Sequence, residues 1–126
     1  MDVYTGDVDG QETIDLNEWS QIFTTSAGTT VSIRLKDMGK RSGHMFWVKM
    51  DHSKDPSVKA RQSLTRYRTD CAAETLTMLA TVQYDARGRI IASGDFPTYQ
   101  QQTRAVIPGS AGEAILQNAC PWTEIE

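Results

Sequence analysis

With 126 residues, 39% hydrophobic and 23% charged, and a formal net charge of −3, the chain is long enough to bury a core as one domain and too mixed in composition for disorder. No apolar run approaches the roughly 20 residues that a membrane-spanning helix needs, and the acidic start lacks the basic residues and apolar block of a secretory leader. The charge is segregated: residues 1–33 hold six acids and no Lys or Arg, residues 34–68 hold ten bases against three acids, and the remainder is acidic again.

The first element is acidic. In "DVDGQETIDLNEW", a twelve-residue loop from Asp7 to Glu18 places Asp7, Asp9, Asp15 and Glu18 at the first, third, ninth and last positions, the oxygen spacing of an EF-hand. The sixth position of such a loop needs Gly for its sharp turn, and here it is Glu12, with Gln11 at the fifth. Only six residues precede Asp7, too few for an entering helix. Calcium is therefore not expected, nor any other metal. Residues 1–17 read as a solvated, flexible acidic segment ahead of one domain over residues 18–126.

Strands follow. "EWSQIF" (Glu18 to Phe23) and "TVSIRLK" (Thr30 to Lys36) flank a turn at Ser26-Ala27-Gly28, and Val31, Ile33 and Leu35 alternate with Ser32, Arg34 and Lys36. That period of two belongs to a half-buried strand. "HMFWVKM" (His44 to Met50) comes after a charged turn from Gly39 to Gly43, and an extended run from about Val58 to Thr69 comes after Pro56. In that run Arg66 and Arg68 share a face and Tyr67 takes the other. "ETLTMLATVQYDARGRIIASGDF" reads as a hairpin, with Leu76, Met78, Ala80 and Val82 alternating against Thr75, Thr77, Leu79 and Thr81. Gly88 in the Asp85–Gly88 corner supplies the left-handed conformation of a tight turn. About six strands joined by short turns make an antiparallel sheet.

One helix closes the chain, in "PGSAGEAILQNAC" from Pro108 to Cys120. Ser110 is a good N-cap and Glu113, three residues on, completes a capping box. Ile115, Leu116, Ala119 and Cys120 lie on one face at helical spacing, and Pro121 stops the helix. The fold class is α+β.

Cys71 and Cys120 are the only cysteines. Two buried free thiols fit a cytosolic domain; a Cys71–Cys120 bridge would pin the helix to the sheet and place the protein outside the reducing cytosol. His44 and His52 lie far from both in sequence, so no metal-ligand spacing arises. They read as surface residues at a strand start and in the "DHSKD" turn, where Asp51 and Asp55 bond the backbone. No phosphate-binding Gly-rich loop occurs, and no catalytic constellation or cofactor is expected. Trp19 and Trp47 read as core; Trp122 packs over the helix end or forms a contact.

The basic middle has two readings. Its residues around the third and fourth strands, Lys49, Lys54, Lys59, Arg61, Arg66 and Arg68, are the candidate ligand contacts, for a protein or an acidic polymer. Alternatively they pair with the chain's own acidic ends or form the wet side of a sheet. The acidic net charge argues against a dedicated nucleic-acid binder.

The C-terminal half, "YRTDCAAETLTMLATVQYDARGRIIASGDFPTYQQQTRAVIPGSAGEAILQNACPW", resembles the surface-adhesin protein E family of bacterial envelope proteins over roughly residues 67–122. The similarity lies in the order of a strand ending in Cys71, the Tyr84–Gly88 hairpin corner, the aromatic Tyr99, Ile107–Ser110 at the helix start and Cys120. The resemblance implies a bent antiparallel sheet of about six strands, its C-terminal helix tethered on the concave face by a Cys71–Cys120 disulfide. It also implies non-catalytic binding at the periplasm, the outer-membrane surface or outside the cell, with a signal peptide removed ahead of Met1, and adhesion to extracellular matrix or other host proteins. The alternatives are a periplasmic inhibitor or accessory subunit with one protein partner, and a small enzyme using His44 or His52.

Overall fold

The computed structural model describes residues 18–121. The acidic segment 1–17, with all of the EF-hand-like loop except Glu18, and Trp122 lie outside the described residues. Seven strands form one antiparallel sheet: β1 (Trp19–Thr24), β2 (Thr30–Arg34), β3 (Met45–Asp51), β4 (Gln62–Asp70), β5 (Thr75–Tyr84), β6 (Ile90–Asp95) and β7 (Thr103–Ala105). The first six run side by side in chain order, as short turns between antiparallel strands dictate. β5 is long enough for two partners on the same side, β6 along Ala80–Tyr84 and β7 along Thr75–Thr77. Among the described residues one α-helix, α1 (Ala111–Ala119), completes the domain.

The alternation read in β2 is present: Val31 and Ile33 are fully buried while Ser32 and Arg34 are half-exposed. The strand nevertheless ends at Arg34, because Leu35–Asp37 coil into one 3-10 turn that buries Asp37 and leaves Leu35 48% exposed. In β5 the expected alternation fails at one place. Arg66 pairs with Ala80 and Tyr67 with Met78, so Leu79 is an extra, bulged residue. The bulge shifts the alternation by one residue, and burial does not follow it: Leu76, Thr77, Leu79 and Ala80 are buried while Met78, opposite Tyr67, is exposed. β4 starts at Gln62, four residues after the extended run was expected to begin, since residues 53–61 form a hydrogen-bonded loop. β7 adds one strand beyond the expected six; its three residues are all exposed and carry no hydrophobic period.

The β1–β2 turn shows why a glycine is needed. Gly28 has φ +97°, and a Cβ there would meet the Lys54 Cβ at 3.3 Å, so the turn packs directly on the β3–β4 loop.

Helix α1 begins at Ser110, whose hydroxyl accepts the Glu113 amide. The Glu113 carboxylate accepts the amide of Gly109, one residue before the cap. Its inward face carries Ile115, Leu116, Ala119 and Cys120, all buried, as their spacing predicts. Ile115 and Ala119 pack with Val31, Ile33, Phe46, Val48 and Leu76 in the main core. The helix touches β1, β2 and β5, strands set apart in the sheet order, so the sheet bends around it and the helix lies on the concave face. Cys71 and Cys120 are bonded to each other, with Cα atoms 5.9 Å apart. Two thiols expected either free or paired are therefore one tether from the start of the β4–β5 turn to the helix C-terminus.

Candidate functional site

The face of the sheet away from the helix is open. Because side chains alternate along a strand, Trp47 and Lys49 point away from the core that Phe46 and Val48 enter, and Arg66 and Arg68 point away from Tyr67, which packs against Phe46 at 6.2 Å between ring centroids. The register aligns this open face in rows. Trp19 pairs with Arg34, Arg34 lies beside Trp47 one step past the Ile33–Val48 pair, and Trp47 pairs with Arg66. One row across four strands thus reads Trp19, Arg34, Trp47, Arg66, and passes through Ala80 to Asp95 on the outer strand. Arg68 and Lys49 stand in the rows on either side.

None of the residues in the first four places of this row is fully buried, so Trp19 and Trp47, expected in the core, are instead half-exposed indoles on the open face. The Lys49 ammonium sits 5.0 Å from the centre of a Trp19 ring, a cation–π contact. Desolvation by burial lowers the Lys49 pKa from its ordinary value, offset in part by Asp51 and Glu18. The Arg34 Nε donates to the Asp37 carboxylate at 3.1 Å. Arg66 and Arg68 meet no carboxylate within salt-bridge distance among the described residues.

The other three basic candidates belong to the β3–β4 loop. Lys54 and Lys59 are exposed there. Arg61 is committed internally: its guanidinium donates to the carbonyls of Ser53, Asp55 and Val58. Asp51 and Asp55 brace the same loop as expected, accepting the amides of Ser53 and Ser57. Those bonds hold both carboxyls below the ordinary carboxylate value, for Asp51 through Ser53 and for Asp55 through the Ser57 hydroxyl first and its amide second. The structure thus places Lys49, Arg66 and Arg68 together, sets Lys54 and Lys59 in the adjoining loop, and turns Arg61 into scaffold.

The histidines are less superficial than a turn or a strand start implies. The His52 ring bridges two buried hydroxyls, with Nδ1 3.2 Å from Thr29 Oγ1 and Nε2 3.0 Å from Ser63 Oγ. Its burial lowers its pKa, against the opposing pull of Asp55 and Asp51 and with a smaller push from Arg61. His44 Nε2 lies 3.5 Å from the buried Asp37 carboxylate, and the neighbouring Ser42 hydroxyl accepts the Cys71 amide. On the concave side, a groove of about 460 Å³ runs between β7 and the helix start, lined chiefly by Tyr67, Leu76, Met78, Phe96, Val106 and Ile107. No group of three or more His, Cys, Asp or Glu side chains is gathered as a metal site among the described residues, and no helix among them is long and apolar enough to cross a membrane.

These features define a small disulfide-tethered α+β domain whose distinctive surface chemistry is spread over an open sheet face. The chain belongs to the surface-adhesin protein E family, whose model matches residues 19–121. No curated protein and no solved structure matches it. Membership assigns the chain a non-catalytic binding role as a surface adhesin, exposed at the envelope or secreted. The match extends through the N-terminal strands, well beyond the segment from Tyr67 to Trp122 on which the sequence resemblance rested.

The candidate contacts Lys49, Arg66 and Arg68 share their sheet face with Trp19, Trp47 and Arg34, which the sequence reading did not place there. The signal was present in the strand pattern, since Trp47 alternates with the apolar Phe46 and Val48. Aromatic character alone assigned it to the core.

Proposed function

We propose that this domain is an adhesion module of the bacterial cell envelope that attaches to extracellular matrix or other host proteins through its open cationic sheet face. The single observation that carries the proposal is the cluster of Lys49, Arg66 and Arg68, held on one face beside half-buried indoles, with Arg66 and Arg68 unpaired among the described residues. Cations placed this way attract an acidic partner over a distance set by ionic strength. Lys54 and Lys59 extend the field along the β3–β4 loop, and Arg61 contributes by holding that loop in shape. Such a surface suits weak, rapidly formed contacts with many acidic sites.

The test is charge reversal. Lys49→Glu, Arg66→Glu and Arg68→Glu combined should lower binding to a panel of purified matrix proteins by at least about ten-fold, equivalent to roughly 1.4 kcal/mol, with the thermal midpoint little changed. Unchanged binding across the panel would reduce the cluster to a solvated face.

A further inference from the structure

We propose that the ligand chemistry read by this face is that of a sulfated, linear polysaccharide, with Trp47 as the stacking platform and Arg34 and Arg66 as the flanking anion contacts. The inference rests on the adhesive reading above and names the partner of the same surface.

Three observations select this occupant. The first is the order of side chains in one row. Trp47 has Arg34 on one neighbouring strand and Arg66 on the other, and adjacent strands lie about 4.8 Å apart. A guanidinium, an indole and a second guanidinium thus follow one another across the strands, and Trp19, with the Lys49 ammonium from the neighbouring row over its ring, continues the row at its β1 end. A chain of sugar rings carrying sulfates presents the complementary order, an apolar ring face between anionic groups. Guanidinium suits such oxyanions because its planar fork can meet two oxygens at once.

The second observation is charge complementarity. Arg66 and Arg68 have no carboxylate within reach among the described residues, and Lys49 is partly desolvated. Half-buried cations of this kind gain more from a polyanion than fully hydrated ones do. Arg34 holds the buried Asp37 carboxylate through its Nε, so it meets an anion through its terminal guanidinium nitrogens, and the acid within the Trp47 row itself is Asp95, two strands beyond Arg66 through Ala80.

The third is backbone chemistry, and it separates a polysaccharide from an acidic peptide. On the open face of a sheet the backbone N–H and C=O groups are consumed in the ladders between strands. An extended peptide laid there would find no partner for its own amides, and peptides accordingly dock on sheet edges or in grooves. A polysaccharide carries no amide backbone to satisfy and needs only stacking and charge contacts.

The experiment uses the full chain with its disulfide intact, titrated with a heparin dodecasaccharide and followed by tryptophan fluorescence and calorimetry. A neutral dextran oligosaccharide, polyglutamate and an oligothymidylate of similar charge serve as comparisons. The sulfated sugar is expected to bind and perturb the fluorescence, with affinity falling steeply between about 50 and about 200 mM salt. Trp47→Leu and Arg66→Gln should each weaken it by about ten-fold or more, as loss of one stacking or charge-assisted contact does, while Arg87→Gln, exposed in the β5–β6 turn outside the row, changes it little. Arg66→Gln keeps the test sound if Trp47→Leu disturbs the fold.

Binding of polyglutamate or of the oligothymidylate within about three-fold of the heparin value would overturn the assignment, as would an unchanged affinity in Arg66→Gln. The two readings also part company on basement-membrane extract. If adhesion survives heparinase treatment of the extract yet is lost in the triple charge reversal, adhesion through this face stands and the polysaccharide assignment falls. If heparinase and charge reversal abolish it alike, both hold.

Discussion

His52 occupies a position where the gain of one proton acts on the whole domain. Its ring ties Thr29, in the β1–β2 turn, to Ser63 on β4, and burial holds its folded pKa below the ordinary value of about 6.5. The unfolded chain therefore takes up the proton first as pH falls. The stabilisation is complete above the unfolded value and declines as pH drops below it toward the folded one. The depressed carboxylates Asp51, Asp55 and Asp85 act in a separate window, since their contribution is present above about pH 4 and is lost only below it. Urea unfolding at pH 7.5 and pH 5.5 should thus show the wild type weaker at the lower pH. His52→Phe removes that difference and costs about 1–3 kcal/mol at pH 7.5 by orphaning two buried hydroxyls. A variant with the wild-type pH dependence would move the responsible proton elsewhere.

At the scale of elements, the helix and its tether form a testable unit. The disulfide closes a segment with a sequence separation of 49, worth about 4 kcal/mol in the chain-entropy account. The helix also has its own attachment, through Ile115 and Ala119 in the main core. Reduction is therefore expected to lower the urea midpoint substantially while leaving the sheet core packed; a midpoint unmoved by reductant would assign the docking to the apolar stripe alone. The helix was legible in the sequence because every cue is local: Ser110, Glu113, the spaced apolar residues and Pro121. β2, β3 and the β5–β6 hairpin were legible for the same reason. The Leu79 bulge and β7 were not, because both are decided by pairing between strands that the sequence does not bring near one another. The same limit applies to the candidate site. Lys49, Arg66 and Arg68 were visible as charges, but the alignment of Trp47 between Arg34 and Arg66 exists only in the register. Arg61 looked equivalent to its neighbours until the loop carbonyls it binds were placed.

On the scale of the whole molecule, the sheet has one face packed against the helix and one turned away from it, and neighbouring residues fall on opposite sides of that division. Phe46 is 1% exposed and packs under the helix-side core; one residue on, Trp47 stands in the open row beside Arg66. Stability and binding should therefore separate between two adjoining strands. Phe46→Ala leaves a cavity among Val48, Tyr67 and the helix and is expected to cost about 3–5 kcal/mol, enough to threaten a domain whose total stability is of order 5–15 kcal/mol. Arg66→Glu on the adjoining strand removes no buried apolar contact, so its cost in stability should stay below about 1 kcal/mol while its cost in matrix binding is large. Chemical denaturation and matrix binding, measured on both variants at temperatures where Phe46→Ala remains folded, give the four values needed. If Phe46→Ala, when folded, binds like the wild type and Arg66→Glu folds like it but binds poorly, the concave face serves stability and the open face serves adhesion. A folded Phe46→Ala that binds poorly would instead mean that ligand contact depends on the shape the core imposes on the whole sheet, and the groove beside α1 would become part of the binding surface.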